Sequence, residues 1–379
     1  TGEEVLTSLL NGPVKNEAHR AILEKILEDR QVRKTISSYL LSPPDFDGRM
    51  RTSYYICLET GRSATQQQEP PIRPNIEYKD PETGTKKRQS RGMAFQTITK
   101  HGDIGADIRR MLVPDEGCIF LQADSAQAEA RVIFLLAEDY QALKDIDTHD
   151  YHALTASWFF GGTEDNYSKK VLGYESPTRF VGKTLRHAGH LGASKRRAAI
   201  SVNTDARKYK INYKISEAEA DRALKIFHAK QPNIRGVFHA GIIECLGRNR
   251  QLIAPVPYGI DATTGGTRIF FERWGDELFR QAFSYLPQRI VSENTKGAAL
   301  RIRRCNNWIR VIVEAHDSLL VQVKECDAEK AARILKQEFE VPIDFKGCSL
   351  SRGTLVIPCE VEMGVNYKDL SKFKFMVAS

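Results

Sequence analysis

The 379-residue chain has no C-x-x-C pair, and its seven cysteines are scattered from Cys57 to Cys359. That odd, spread set excludes a disulfide scaffold and a cysteine-ligated zinc site, and it predicts reduced thiols inside a cell. No apolar run approaches the ~18 residues that a membrane-spanning helix needs; the longest lies near Val132–Ala137. No charged-then-apolar signal segment opens the chain, and its first residue is Thr1, which predicts a processed or trimmed N-terminus. There is no internal repeat and no low-complexity tract, so a solenoid is excluded. What is present is a 41% hydrophobic content, enough for a core and too much for a fully disordered chain. At about 150 residues per domain the length predicts two or three domains or lobes. Lys+Arg 56 against Asp+Glu 48 leaves +8, which favours an anionic partner such as nucleic acid.

Helical periodicity runs through residues 3–40, where Leu6, Leu9, Leu10, Ile22, Leu23, Ile26 and Leu27 recur among charges and Pro43 and Pro44 end the pattern. Residues 51–58 predict a strand. Residues 63–92 are polar and turn-rich and end in the basic cluster Lys86, Lys87, Arg88 and Arg91, either a surface loop or a phosphate-contacting one. Cys118–Leu121 is a short apolar strand with Asp124 just past its end, and Ser125–Leu136 is a good helix former. Further helices are expected over 150–160, 176–191, 214–246, 276–285 and 328–339. Val311–Val323 predicts a hairpin with His316, Asp317 and Ser318 at its turn, and 354–362 a closing strand. Strands mixed with segregated helices predict an α+β fold.

Three clusters carry chemistry. Asp124 at a strand end is followed by Gln127, Glu129 and Arg131; read singly, Asp124 is a helix N-cap and the others solvated charges. Arg179, Lys183, Arg186, His187 and His190 fall within an arc of about 100° on one helix face, with almost no balancing carboxylate. Such a face repels itself unless an anion docks, and a string of phosphates is the natural one; its alternative is a solvated basic face. Asp317 sits in a tight turn between two apolar strands. If those strands neighbour Cys118–Leu121, Asp124 and Asp317 converge. Two carboxylates held together call for a cation, and Mg²⁺ prefers carboxylate oxygens plus substrate phosphates. Two such ions ~4 Å apart activate an attacking oxygen and stabilise a leaving one. The combination is a physical formula for nucleotidyl transfer, in synthesis or hydrolysis alike.

At these residues a resemblance becomes specific. Gln122–Arg131 (QADSAQAEAR) resembles motif A of family A DNA polymerases, and Asp150–Gly161 (DYHALTASWFFG) their D-I-H-x-x-T-A-S segment. Arg179-x3-Lys183 with Gly192 resembles motif B, and Glu314–Leu319 (EAHDSL) is similar to motif C. Glu59–Arg62, Ala94–Ile98, Arg280–Gln288 and Pro358–Tyr367 echo flanking segments in the same order over nearly the whole chain. The resemblance implies a right-hand fold with an antiparallel-sheet palm and helical fingers. Residues 1–45 would be a helical segment at the base of the thumb, 46–135 the first part of the palm, 136–260 the fingers and 261–379 the second part of the palm. Most of the thumb and any preceding exonuclease domain would be absent.

The resemblance further implies a template-directed DNA polymerase that uses two Mg²⁺ ions, with Mn²⁺ as a substitute, and that takes primer-template DNA and dNTPs as partners. Asp124, Asp317 and the carbonyl of Ser125 would be the metal ligands. Arg179, Lys183 and His152 would grip the triphosphate, with Lys183 as general acid toward pyrophosphate. Gln127 and Glu129 would line the sugar pocket, with Glu129 the gate against a 2′-hydroxyl, and His187 and Leu191 would occupy the positions of the motif B aromatics. Arg62, Gln96, Arg280 and Gln288 would touch the minor groove or template, and His316 the primer end. The departures are Ser125 and Ala128 in motif A, His187 and Leu191 in motif B and Ser318 after the motif C Asp; such divergence resembles phage or mobile-element enzymes. An imidazole at His187 predicts weaker stacking and a nucleotide affinity that changes with pH between about 6 and 8. The rivals are a single-subunit RNA polymerase, against which Glu129 argues, and a catalytically inactive DNA-binding subunit, against which the two Asp and the Arg179/Lys183 pair argue.

Overall fold

A computed structural model of the chain describes residues 5–6, 9–10, 16–42, 44–45, 47–55, 58–66, 77–79, 86–88, 92–98, 103–172, 176–208, 211–256 and 265–375. Helix α1 (Glu17–Thr35), capped by the Asn16 side chain, precedes two small hairpins, β1 (Ser53–Tyr55) with β2 (Ala64–Gln66) and β3 (Glu77–Lys79) with β4 (Lys86–Arg88). Helix α2 (Asp103–Arg110) and strand β5 (Cys118–Ser125) follow. A run of helices comes next: α3 (Ala128–Leu136), α4 (Tyr140–Thr148), α5 (Tyr151–Phe160), α6 (Pro177–His190), α7 (Lys195–Lys208), α8 (Glu217–Lys230) and α9 (Ala240–Asn249). Hairpin β6 (Gln251–Ile253) and β7 (Thr267–Ile269) leads to the long α10 (Asp276–Cys305). The chain closes with β8 (Arg310–Ala315), β9 (Ser318–Lys324), α11 (Ala328–Phe339), β10 (Ile343–Asp344), β11 (Thr354–Leu355), β12 (Cys359–Gly364) and β13 (Ser371–Lys372).

The alternation of β5 sets the architecture. Its five-stranded antiparallel sheet has the order β13-β12-β5-β9-β8. Leu121 and Ala123 point to one face and enter a core with Ala298, Ile302, Leu335 and Phe339 from α10 and α11. Phe120, Gln122 and Asp124 belong to the opposite face, where Phe120 packs with Met93, Phe95, Ile98 and Ile108. The α+β expectation holds. Behind the end of β5, the second half of α3 is an unbroken apolar run, which calls for burial all round, and every residue from Val132 to Leu136 is buried. It forms the centre of a second core with α9, α10 and the segment Ile343–Ile357. Helices α6, α7 and α8 have their own smaller core around Val181, Leu185, Val202 and Leu224.

Several expectations shift. Strand β5 runs on through Asp124 and Ser125, because β9 and β12 pair with it on both sides as far as those residues. Asp124 is therefore not a helix N-cap; the helix starts at Ala128 after Gln127 in the left-handed region (φ 50°). The helix expected to stop near Tyr285 continues to Cys305 through Pro287. An interior proline costs about 3 kcal/mol, and burial of Leu286, Ile290, Val291 and Ile302 at about 1.5–3 kcal/mol each outweighs it. Helices α4 and α7 were not anticipated. Among the described residues of the expected 51–58 strand only Ser53–Tyr55 is paired, and β2, β3 and β4 lie inside the segment read as loop. The side chains of Lys86, Lys87 and Arg88, and all of Pro43, Cys57 and Arg91, lie outside the described residues.

Candidate active site

Asp124 and Asp317 come together because of strand register. Asp124 lies opposite Ser318 across the β5–β9 ladder, and the Ser125 N–H donates to the Asp317 carbonyl (3.0 Å). Asp317 is the second residue of a two-residue turn, and His316, the first, has φ 62°. Two-residue hairpins favour positive φ, and His tolerates that region better than most residues. The Asp317 carboxyl is pushed above its usual range by surrounding protein and by the Glu129 charge. Among the described residues no group of three or more His, Cys, Asp or Glu side chains is arranged to hold a metal. The donor set at this corner is two carboxylates beside the Ser125 backbone. These hard oxygens suit an ion that binds one or two carboxylates and keeps its remaining positions for water and phosphate.

Helix α6 packs closely across α5. A Cβ on Gly182 would meet the His152 carbonyl at 2.7 Å, and one on Gly189 would meet the Phe227 ring at 2.4 Å. Gly189 serves close packing here. The cationic face is not one surface. Lys183 and His187, one turn apart, are exposed, while Arg179, Arg186 and His190 are buried. The face is also not unbalanced, as its sequence implied: the Arg179 guanidinium grips both Asp150 oxygens, Nε to Oδ2 at 2.9 Å and Nη2 to Oδ1 at 3.0 Å. Arg186 lies 4.5 Å over the Tyr151 ring and donates to the Gln127 amide oxygen (3.2 Å). Its burial pulls its pKa down to about 10. His190 is edge-on to Phe134 and Phe227, and its backbone carbonyl meets His239 Nε2 at 2.7 Å.

Burial and the Arg186, Arg179, Lys183 and Lys169 charges hold His152 well below the ordinary histidine range. Its Nδ1 is buried without a partner among the described residues. Lys183 is likewise lowered, first by crowding and then by Arg179 and Arg186. His187 is lowered by its surroundings, against the Glu129 charge. The His187 titration, expected to act between about 6 and 8, is drawn toward the acid end by that shift. Leu191 packs against the α3 core.

The residues expected to line the sugar pocket lie at the same corner. Glu129, in the first turn of α3, pairs with Arg62, and its other oxygen is buried without a partner among the described residues. Arg62 and Glu129 both act electrostatically on His187, His316 and Asp317, so the five form one cluster. The Arg62–Glu129 pairing gives each of the two a protein partner that the sequence did not suggest. Gln96 spends its amide on protein. It accepts from the Thr65 N–H (3.0 Å) and donates to Ser63 Oγ (3.1 Å) and the Glu314 carbonyl (2.9 Å), clamping the base of the β8–β9 turn. Arg280 and Gln288 stand half-buried on α10, away from this hydrogen-bond network. Asp150 was missed as a functional partner; the bare cations of α6 were the signal that some neighbouring element had to supply a carboxylate.

The pattern that defines DNA polymerase family A matches residues 1–249. Over 358 residues the chain is 25% identical to the thermostable DNA polymerase I of Thermus aquaticus, covering 94% of this chain and 37% of that protein. Over 373 residues it is 23% identical to the DNA polymerase I of Deinococcus radiodurans, covering 92% and 31%. It thus spans about a third of the length of these relatives. The fold is similar to the polymerase domain of Pol1 from M. smegmatis, solved with DNA primer-template and dNTP. The TM-score is 0.67 at 17% identity, covering 97% of this chain and 56% of that one.

Proposed function

The chain belongs to DNA polymerase family A, with the right-hand fold of that family, and from that premise we propose that it extends a DNA primer with dNTPs along a template. The observation that carries the proposal is the register that sets Asp124 beside the Asp317 turn, with the exposed Lys183 close enough for the Asp317 charge to act on it. In this reading β5, β8, β9 and β12 are the palm and α5 to α8 the fingers. Asp124, Asp317 and the Ser125 carbonyl would hold Mg²⁺, or Mn²⁺ in its place; bound there, the metal would activate the primer hydroxyl and neutralise charge on the departing pyrophosphate.

The chain's own residues do the rest. Lys183 faces the phosphates, and its lowered pKa suits it to deliver a proton to the leaving oxygen. His152, kept neutral and with a buried unpartnered nitrogen, can hydrogen-bond a phosphate oxygen. Arg179, held by Asp150, adds positive potential from behind. Glu129, fixed by Arg62, would be the gate that excludes a 2′-hydroxyl, and the exposed His187 would meet the incoming nucleotide. Arg280, Gln288 and His316 line the approach for the template and primer end, and the site of action is intracellular. Primer extension with dNTPs and with NTPs tests the proposal. Extension by dNTPs alone is the expected result. Extension by NTPs favours the RNA polymerase reading, and none at all an inactive DNA-binding subunit.

A further inference from the structure

Ile269 at the end of β7 and the segment between β7 and α10 present large apolar side chains to solvent. Ile269 is 52%, Phe271 89% and Trp274 51% exposed. Exposed patches of this kind mark interaction sites. This one is built to stay in place. Phe270, between Ile269 and Phe271, is buried in the central core, edge-on to Tyr285 with Arg268 4.4 Å over its ring. Arg268 is tied to Glu59 (2.7 Å) and Glu272 (3.3 Å). Trp274 stands edge-on to Phe279 with ring centroids 5.1 Å apart, and the Arg250 guanidinium lies 5.1 Å over its ring. Arg250 in turn donates to the Glu272 carbonyl (3.1 Å).

We propose that this face, centred on Phe271 and Trp274, is a stacking platform for unpaired bases of single-stranded DNA. The charge around it chooses the occupant. Arg250 lies over the Trp274 ring and Arg273 precedes Trp274 in the chain, and neither has a carboxylate partner among the described residues. The nearby Asp276 and Glu277 lie in the first turn of α10, where the helix dipole offsets their charge. Aromatic faces interleaved with arginines bind single strands by stacking and phosphate attraction, with little sequence preference. An apolar protein partner would meet these two guanidinium groups instead.

The inference rests on the polymerase reading for the source of the strand, the unpaired template, and its test reads binding alone. A primer-template with a long unpaired 5′ extension and a blunt duplex of equal paired length are titrated against the parent, Phe271→Ala and Trp274→Phe. The parent should prefer the extended DNA and lose tryptophan fluorescence on binding it. Phe271→Ala should lose on the order of 10-fold of that preference and none of the blunt-duplex affinity. Trp274→Phe should lose most of the fluorescence change. At 89% exposure Phe271 cannot disturb folding by its removal. An unchanged preference in Phe271→Ala, as a protein-docking face would give, overturns the proposal, and so does an equal loss on both DNAs. A parent that binds as expected but extends no primer would count against the catalytic reading and leave the platform standing.

Discussion

Asp124 and Asp317 are far apart in sequence and meet at one corner, whereas Arg179 and Lys183 are one helical turn apart and part company. The first pair is set by a ladder of backbone hydrogen bonds, which fixes register residue by residue. The second belongs to a helix face about 100° wide, and a face that wide spans both the buried seam with α5 and the open cleft. Spacing within a strand pair thus specified proximity, while spacing within the helix specified only a direction. The cations aimed at the seam acquired partners, Asp150 for Arg179 and Tyr151 with Gln127 for Arg186. Lys183 and His187, aimed at the cleft, kept their access to solvent.

That division can be broken one residue at a time. The largest stability loss is expected from Asp150→Ala, which removes the carboxylate that grips both arms of the Arg179 guanidinium in a buried seam. Breaking such a pair costs on the order of 3–5 kcal/mol, measurable by denaturant unfolding. Lys183→Ala, on the same helix, should leave stability within about 0.5 kcal/mol and lower extension by on the order of 10²-fold. Equal stability losses for the two would erase the distinction between the seam and the cleft.

Acid should probe the seam next. His228 and His239 are buried and held down to about 4, so the unfolded chain binds protons more readily than the folded one. Their stabilising effect is complete above about pH 6.5 and is lost as pH falls toward about 4, amounting to about 2 kcal/mol for each at pH 5. Thermal melts from pH 7.5 to 4.5 should decline in that window, and His239→Phe should flatten the decline. Gly189→Ala should cost about 1–3 kcal/mol, because its Cβ meets the Phe227 ring; a neutral effect would mean that α6 and α8 can slide apart. The smallest effect belongs to the carboxylate corner. Mg²⁺ at ten times its dissociation constant should raise stability by about 1.4 kcal/mol, and Asp317→Asn should abolish the shift in a melt without DNA.

Much of this was legible in the residues. The tight turn holding His316 and Asp317, helix 328–339, helix α6 and the neighbourhood of the two carboxylates follow from local pattern, because periodicity and turn chemistry report on backbone form; Ser318, expected in the turn, instead opens β9. The boundary of β5 was not legible: Gln122, Asp124 and Ser125 have no strand propensity of their own and are held by β9 and β12. The passage of α10 through Pro287 was hidden for the same reason, since burial decided it. In the site, the pairings were missing. Nothing in the sequence joins Arg62 to Glu129, or gives Gln96 to Ser63, Thr65 and Glu314, because those partners come from separate segments.

The central claim is that Asp124 and Asp317 form one metal-dependent site for nucleotidyl transfer. Primer extension by Asp124→Asn and by Asp317→Asn, with primer-template affinity measured alongside, tests it most directly. Each substitution should lower extension by more than ~10³-fold, several kcal/mol of transition-state stabilisation, while DNA affinity stays near that of the parent. Extension at near-parental rates by either variant would contradict it.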